Sequence, residues 1–181
     1  MRSSLYLVVF FAALAVRIVN VVLFPLSPEV LLAEDGILYW NGADALLTHG
    51  VSGIDQLARL IESSERAPGY ILFLAGIRSI FGDSMTTILI VQSILDSVSC
   101  VLIASMGAAL RSPFAPRLAL VAGLLAAVTP NLIIHAGMIL SDSLFLFLFV
   151  AMLAAGARFI RGGSAYWGAL AGVALGMAIL T

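Results

Sequence analysis

The chain has no lysine; all nine of its basic residues are arginine, set against ten acidic ones. Charge is scarce altogether, at 10% of 181 residues, where a soluble domain carries about 25%. That leaves too little polar surface to face water. A net charge of −1 removes any electrostatic case for a nucleic-acid partner. Cys100 is the only cysteine, so no intrachain disulfide forms, and its apolar surroundings in sequence read as those of a structural thiol. No repeat, low-complexity tract or flexible linker interrupts the chain.

What is present is apolar: 62% hydrophobic residues and a mean hydropathy of +1.13. The expected fold class is all-α, a polytopic membrane helix bundle with the bilayer as solvent. The first apolar run, Leu5 to Leu26, is too long for a signal-peptide core and has no A-x-A site after it, so it reads as an uncleaved signal anchor. Further runs cover 67–82, 84–110, 118–138, 142–160 and 164–181. The 67–82 run is shorter than the roughly 20 residues a helix needs to cross, and it opens with Ala-Pro-Gly.

Arginine placement decides its topology. Short cytoplasmic loops collect basic residues. If 67–82 crossed, "RSPFAPR" (Arg111, Arg117) and "RFIRGG" (Arg158, Arg161) would both lie outside. If it lies flat in the interface, they and Arg2 all lie inside. The expectation is therefore about five transmembrane helices, a cytoplasmic N-terminus, a long outer loop at 27–83 containing juxtamembrane helices, and a second outer loop near 136–142. The end, "ALGMAILT", lacks a polar flank, which suggests that 1–181 is the N-terminal part of a longer protein, or else an unusually minimal one.

Candidate functional residues gather in the outer loops. Asp35, Tyr39 and Ala43 recur at helical spacing, predicting a helix from about 34 to 48 that stops at His49-Gly50. Glu34 and Asp35 lie in its first turn, where the helix dipole favours a carboxylate. Arg66, beside Glu65, has the chemistry to hold a phosphate bidentately, or to pair with Glu65 or a lipid headgroup. Asp142 opens a span, where it or Ser141 would also serve as a cap. His135, alone, reads more readily as a packing residue than as a ligand. Arg17, Gln92 and Asp96 are costly in a bilayer and should face the bundle interior; an Arg17–Asp96 pair is open to the geometry.

The order of these features resembles the N-terminal part of membrane glycosyltransferases of the GT-C fold, in the glycosyltransferase 39 and protein mannosyltransferase-like group that includes the aminoarabinose transferases of lipid A. The resemblance spans nearly the whole chain. Asp35, Tyr39, Ala43 and Gly50 match the first-loop pattern Asp-Glu-x-x-Tyr-x-x-x-Ala and its closing Gly, with Gly36 in place of the usual Glu. "ERAPGYILFLAGIRSIFG" matches the basic-Pro-Pro-Gly-Tyr element and its juxtamembrane helix. "TPNLIIHAGMILSDSLF" matches a Pro-bearing span followed by an acidic residue, and "GALAGVALGMAILT" a Gly-rich span.

The resemblance implies an enzyme of the plasma (inner) membrane that takes a sugar from a polyprenyl-phosphate donor and passes it, with inversion, to a lipid, glycan or protein acceptor at the outer face. It implies Asp35 as the base, with Glu65, Arg66, Asp142, Glu34 and Tyr39 as donor-phosphate or substrate contacts. A divalent metal as cofactor stays open, and no residue is assigned as its ligand. The competing reading is a transporter-like or scaffold membrane protein, with Arg17, Asp96, His135 and Asp142 as a polar pathway or as packing contacts. An inactive fragment of the enzyme is the third.

Overall fold

The structure, a computed structural model, describes residues 2–32, 35–49, 67–110 and 112–181. The described chain is helical: α1 (Arg2–Leu23), α2 (Pro28–Leu31), α3 (Asp35–His49), α4 (Gly69–Phe81), α5 (Met85–Ala108), α6 (Ala115–Val128), α7 (Pro130–Ala136), α8 (Asp142–Ile160) and α9 (Ala165–Ile179). Among the described residues three helices, α1 from Ser4 onward, α5 and α8, are long and apolar enough to cross a membrane, and counting the bent pair α6–α7 as one span gives up to four. The protein is a helical membrane bundle.

The bend has a local cause. Thr129 precedes Pro130 and is extended, with ψ 117; the proline ring excludes the helical conformation before it and supplies no N–H to continue the ladder. The sequence run 118–138, expected as one span, is therefore two helices meeting at 55°. The last run, 164–181, is helical over 15 residues, about 22 Å long. α4 is shorter still, at 13 residues, and packs mainly against α3.

The central helix is α5, which touches α1, α6 and α8. Small residues let these helices close up, as packing in a membrane favours. A Cβ at Gly123 would stand 2.8 Å from Val9 and 2.9 Å from the Ala104 Cβ, and one at Gly107 would stand 3.1 Å from the Ala119 Cα. Cys100 is buried in this seam with Val9, Ala13 and Ala127.

Polar groups lock the same three helices. Arg17 is wholly buried and its Nε donates to Asp96 Oδ2, forming an ion pair with a carboxylate only 1% exposed. Its Nη1 donates to the carbonyls of Ala13 (3.0 Å) and Ala127 (3.1 Å), and its Nη2 lies 3.5 Å from Cys100 Sγ. The pair left open by the sequence is formed, and it ties α1, α5 and α6 together.

Removing one partner of such a pair strands a charge in the interior, at a cost of about 3–5 kcal/mol, whereas apolar replacement of both is often nearly neutral. Arg17→Met should therefore lower thermal stability sharply in detergent, and Arg17→Met with Asp96→Leu should recover most of the loss. Equal melting of the wild type and Arg17→Met would contradict the lock.

Candidate functional site

The polar residues converge at the end of the bundle that carries α3 and α4. α3 starts at Asp35, half-buried, close to the expected start and ending at His49. Its first turn is docked on the loop between α7 and α8. Ile139 N–H donates to the Leu31 carbonyl (3.4 Å). Gly36 is buried there: a Cβ would stand 3.1 Å from both the Ile139 and the Leu31 carbonyl oxygens. This contact gives a physical reason for glycine where the resembled pattern has glutamate.

Tyr39, one helical turn after Asp35, donates its hydroxyl hydrogen to Ser141 Oγ (3.3 Å). Ser141 occupies the N-cap position of α8 without a side-chain cap bond; its hydroxyl engages Tyr39. Asp142 follows it in the first turn of α8, exposed, with Oδ1 at 3.3 Å from His135 Nδ1. The Tyr39–Ser141 contact forms a seam between α3 and the loop before α8, with Asp35 one turn from it in α3 and Asp142 next to it in sequence.

A buried chain of contacts holds that seam from beneath. The rings of Tyr39 and Tyr70 meet edge to face at 4.8 Å. Tyr70 donates to Gln92 Oε1, and Gln92 Nε2 donates to the Met138 carbonyl (2.7 Å). Burial, with smaller contributions from Tyr39 and Asp142 nearby, pushes the Tyr70 phenol well above its ordinary value, so it stays a neutral donor. Gly69 N–H donates to the Leu180 carbonyl just past α9, and a Cβ there would collide with that carbonyl. The Gly-Tyr of "ERAPGY" is thus a close approach followed by a buried hydrogen bond.

Arg78 clasps α3 to α4. It donates to Asp83 (2.6 Å), Asp44 (2.7 Å) and the Trp40 carbonyl (3.2 Å), and it lies 4.1 Å above the Trp40 ring. Burial works against its charge, but the Asp83 and Asp44 carboxylates more than offset this and raise its pKa. In the sequence, the signal for this clasp is an arginine inside a short apolar helix.

Beside the seam lies a cleft of about 220 Å³ lined by Asp96, Asn131, His135, Asp142 and Ser143. Asp96 Oδ1 is buried without a hydrogen-bond partner. The cleft brings His135 and Asp142 together, which the sequence did not link. Glu34, Glu65 and Arg66 lie outside the described residues, so the expected phosphate contact does too. Among the described residues, no three His, Cys, Asp or Glu side chains converge as a metal-ligand set.

Fold and site together define a polytopic helical membrane protein with a polar, carboxylate-bearing seam at one end. The family model for dolichyl-phosphate-mannose-protein mannosyltransferases matches residues 65–181, and the chain belongs to that family. No curated protein and no solved structure matches it.

Leaving Tyr70 and the Met138 carbonyl without their partner should cost about 1–3 kcal/mol per buried group. Gln92→Met keeps the volume and removes both bonds. It should lower the melting temperature in detergent, and adding Tyr70→Phe should cost less than it does alone. Strict additivity of the two substitutions would show that the chain is not coupled.

Proposed function

We propose that the protein transfers a sugar from a polyprenyl-phosphate donor to an acceptor at the outer face of the plasma membrane, with inversion, using Asp35 as base. Family membership supports a glycosyltransferase. The observation that carries the finer reading is the seam. Tyr39 stands one turn from Asp35, on the same side of α3, and its hydroxyl reaches Ser141, next to Asp142. The two carboxylates are thereby presented to one region beside a juxtamembrane helix.

In this reading Asp35 accepts the proton of an acceptor hydroxyl or amine as that atom forms its bond to the anomeric carbon. The carbon–oxygen bond to the phosphate breaks from the opposite face, and the polyprenyl phosphate leaves with the bonding pair. Arg66, with Glu65 beside it, stabilises the departing phosphate. Asp142 orients the acceptor or the base, and Glu34 and Tyr39 border the site. The donor's lipid tail stays in the bilayer while α4, lying flat, leaves its sugar-phosphate at the surface. Residues 27–83 and 136–142 are then the two outer loops.

Asp35→Asn in the full-length protein should abolish sugar transfer, by at least the 10²-fold typical of a lost general base, without lowering membrane abundance. An asparagine variant that keeps most activity would exclude Asp35 as the base.

The orientation has its own test. With Cys100 replaced, a cysteine introduced between Arg111 and Arg117 should resist an impermeant thiol reagent in intact cells and react after permeabilisation. Labelling in intact cells would invert the topology.

A further inference from the structure

The end of the bundle opposite the seam has a different chemistry. A cavity of about 310 Å³ lies among the C-terminal turns of α5 and α8 and the start of α9; Ser105, Met106, Arg158, Arg161, Gly163 and Trp167 border it. The turn that closes it is tightly built. Gly162 is left-handed, with φ 86. A Cβ at Gly163 would collide with the Arg158 carbonyl and stand 3.0 Å from Trp167 Cδ1. The compact turn brings the Arg158 guanidinium to 4.6 Å above the Trp167 ring.

Neither arginine has an acidic partner among the described residues, since the ion pairs there engage Arg17 and Arg78, and Asp142 faces His135. The sequence explains why: 97–141 and 143–181 contain no aspartate or glutamate. This pocket thus combines two uncompensated guanidiniums, an amphipathic indole and an apolar wall. Paired guanidiniums match the oxygens of a phosphate, tryptophan favours the headgroup level, and basic pockets between membrane helices take anionic headgroups.

We infer that this cavity is a binding site for the phosphate headgroup of an anionic membrane lipid, distinct from the seam and independent of the activity proposed for it. Arg158 and Arg161 hold the phosphate, Trp167 orients Arg158 and borders the glycerol region, and the wall formed by Met106 and its neighbours receives the start of an acyl chain.

Native mass spectrometry of the full-length protein, titrated with phosphatidylglycerol or phosphatidylethanolamine, tests this. The wild type should retain phosphatidylglycerol preferentially. R158Q/R161Q should bind it about 25-fold more weakly, about fivefold for each arginine, with R158K/R161K between the two because lysine keeps the charge but not the planar fork. Should the double glutamine variant fail to accumulate, R161Q alone, on the exposed turn, should show about a fivefold loss. Millimolar inorganic phosphate should leave the lipid bound. Equal retention of both lipids, unchanged binding in the glutamine variants, or displacement by inorganic phosphate would each overturn the assignment.

Discussion

The buried pairing of Arg17 with Asp96 sets the rest of the arrangement. Ionised groups in a bilayer interior are tolerated where they meet each other and backbone carbonyls, and Arg17 meets Asp96 and two carbonyls at once. Satisfying it fixes the rotation of α5 about its axis. Gln92, Asp96 and Cys100 are spaced four apart and all buried, so one stripe of α5 carries the lock and, one turn above, the group that holds the loops. Once Asp96 faces α1, Gln92 faces Tyr70 and Met138. The interior charge pair and the candidate site are consecutive turns of a single polar face.

That stripe also explains why the seam is built with so few side chains. The loop between α7 and α8 contributes backbone atoms, the carbonyls of Met138 and Ile139 and the Ile139 N–H. Backbone groups need close approach, hence a glycine at 36 on the helix that docks there. The carboxylates at 35 and 142 are left at the margins, where solvent or a substrate can reach them. Charge is segregated along the bundle in the same sense. Among the described residues Asp35, Asp44, Asp83 and Asp142 lie toward the seam end, where Arg78 is paired, and Arg158 and Arg161 lie at the end opposite.

Much of this was readable from the chain. The apolar runs mark the long helices because about 20 residues are needed to cross, and the period of Asp35, Tyr39 and Ala43 marks α3 to within a residue at each end. Arg17 and Asp96 announced themselves by their cost. The hinge at Thr129–Pro130 could have been read from the proline, but a run that stays apolar through the break looks like one span. Partnerships were the least legible. That Tyr70 would find Gln92, or that Arg78 would divide itself between Asp44 and Asp83, depends on how α4 lies against α3, which no local pattern encodes. His135 looked like an isolated packing residue until the bend carried α7 back beside the start of α8.

Asp35 opens α3, whose first turn is held against the loop between α7 and α8. Gly36 is pressed against the second loop, and Tyr39 reaches Ser141; together they fix which side of α3 faces that loop. Asp35 stands one turn before Tyr39 and shares its side. A base there would work from a helix that cannot rotate, because the glycine contact and the tyrosine hydrogen bond restrain it at two points a turn apart. Such restraint is what general-base catalysis asks of a scaffold: a carboxylate kept within reach of one proton. The same restraint argues for glycine over a second acid at 36, since a longer side chain would push the helix off the loop that orients it.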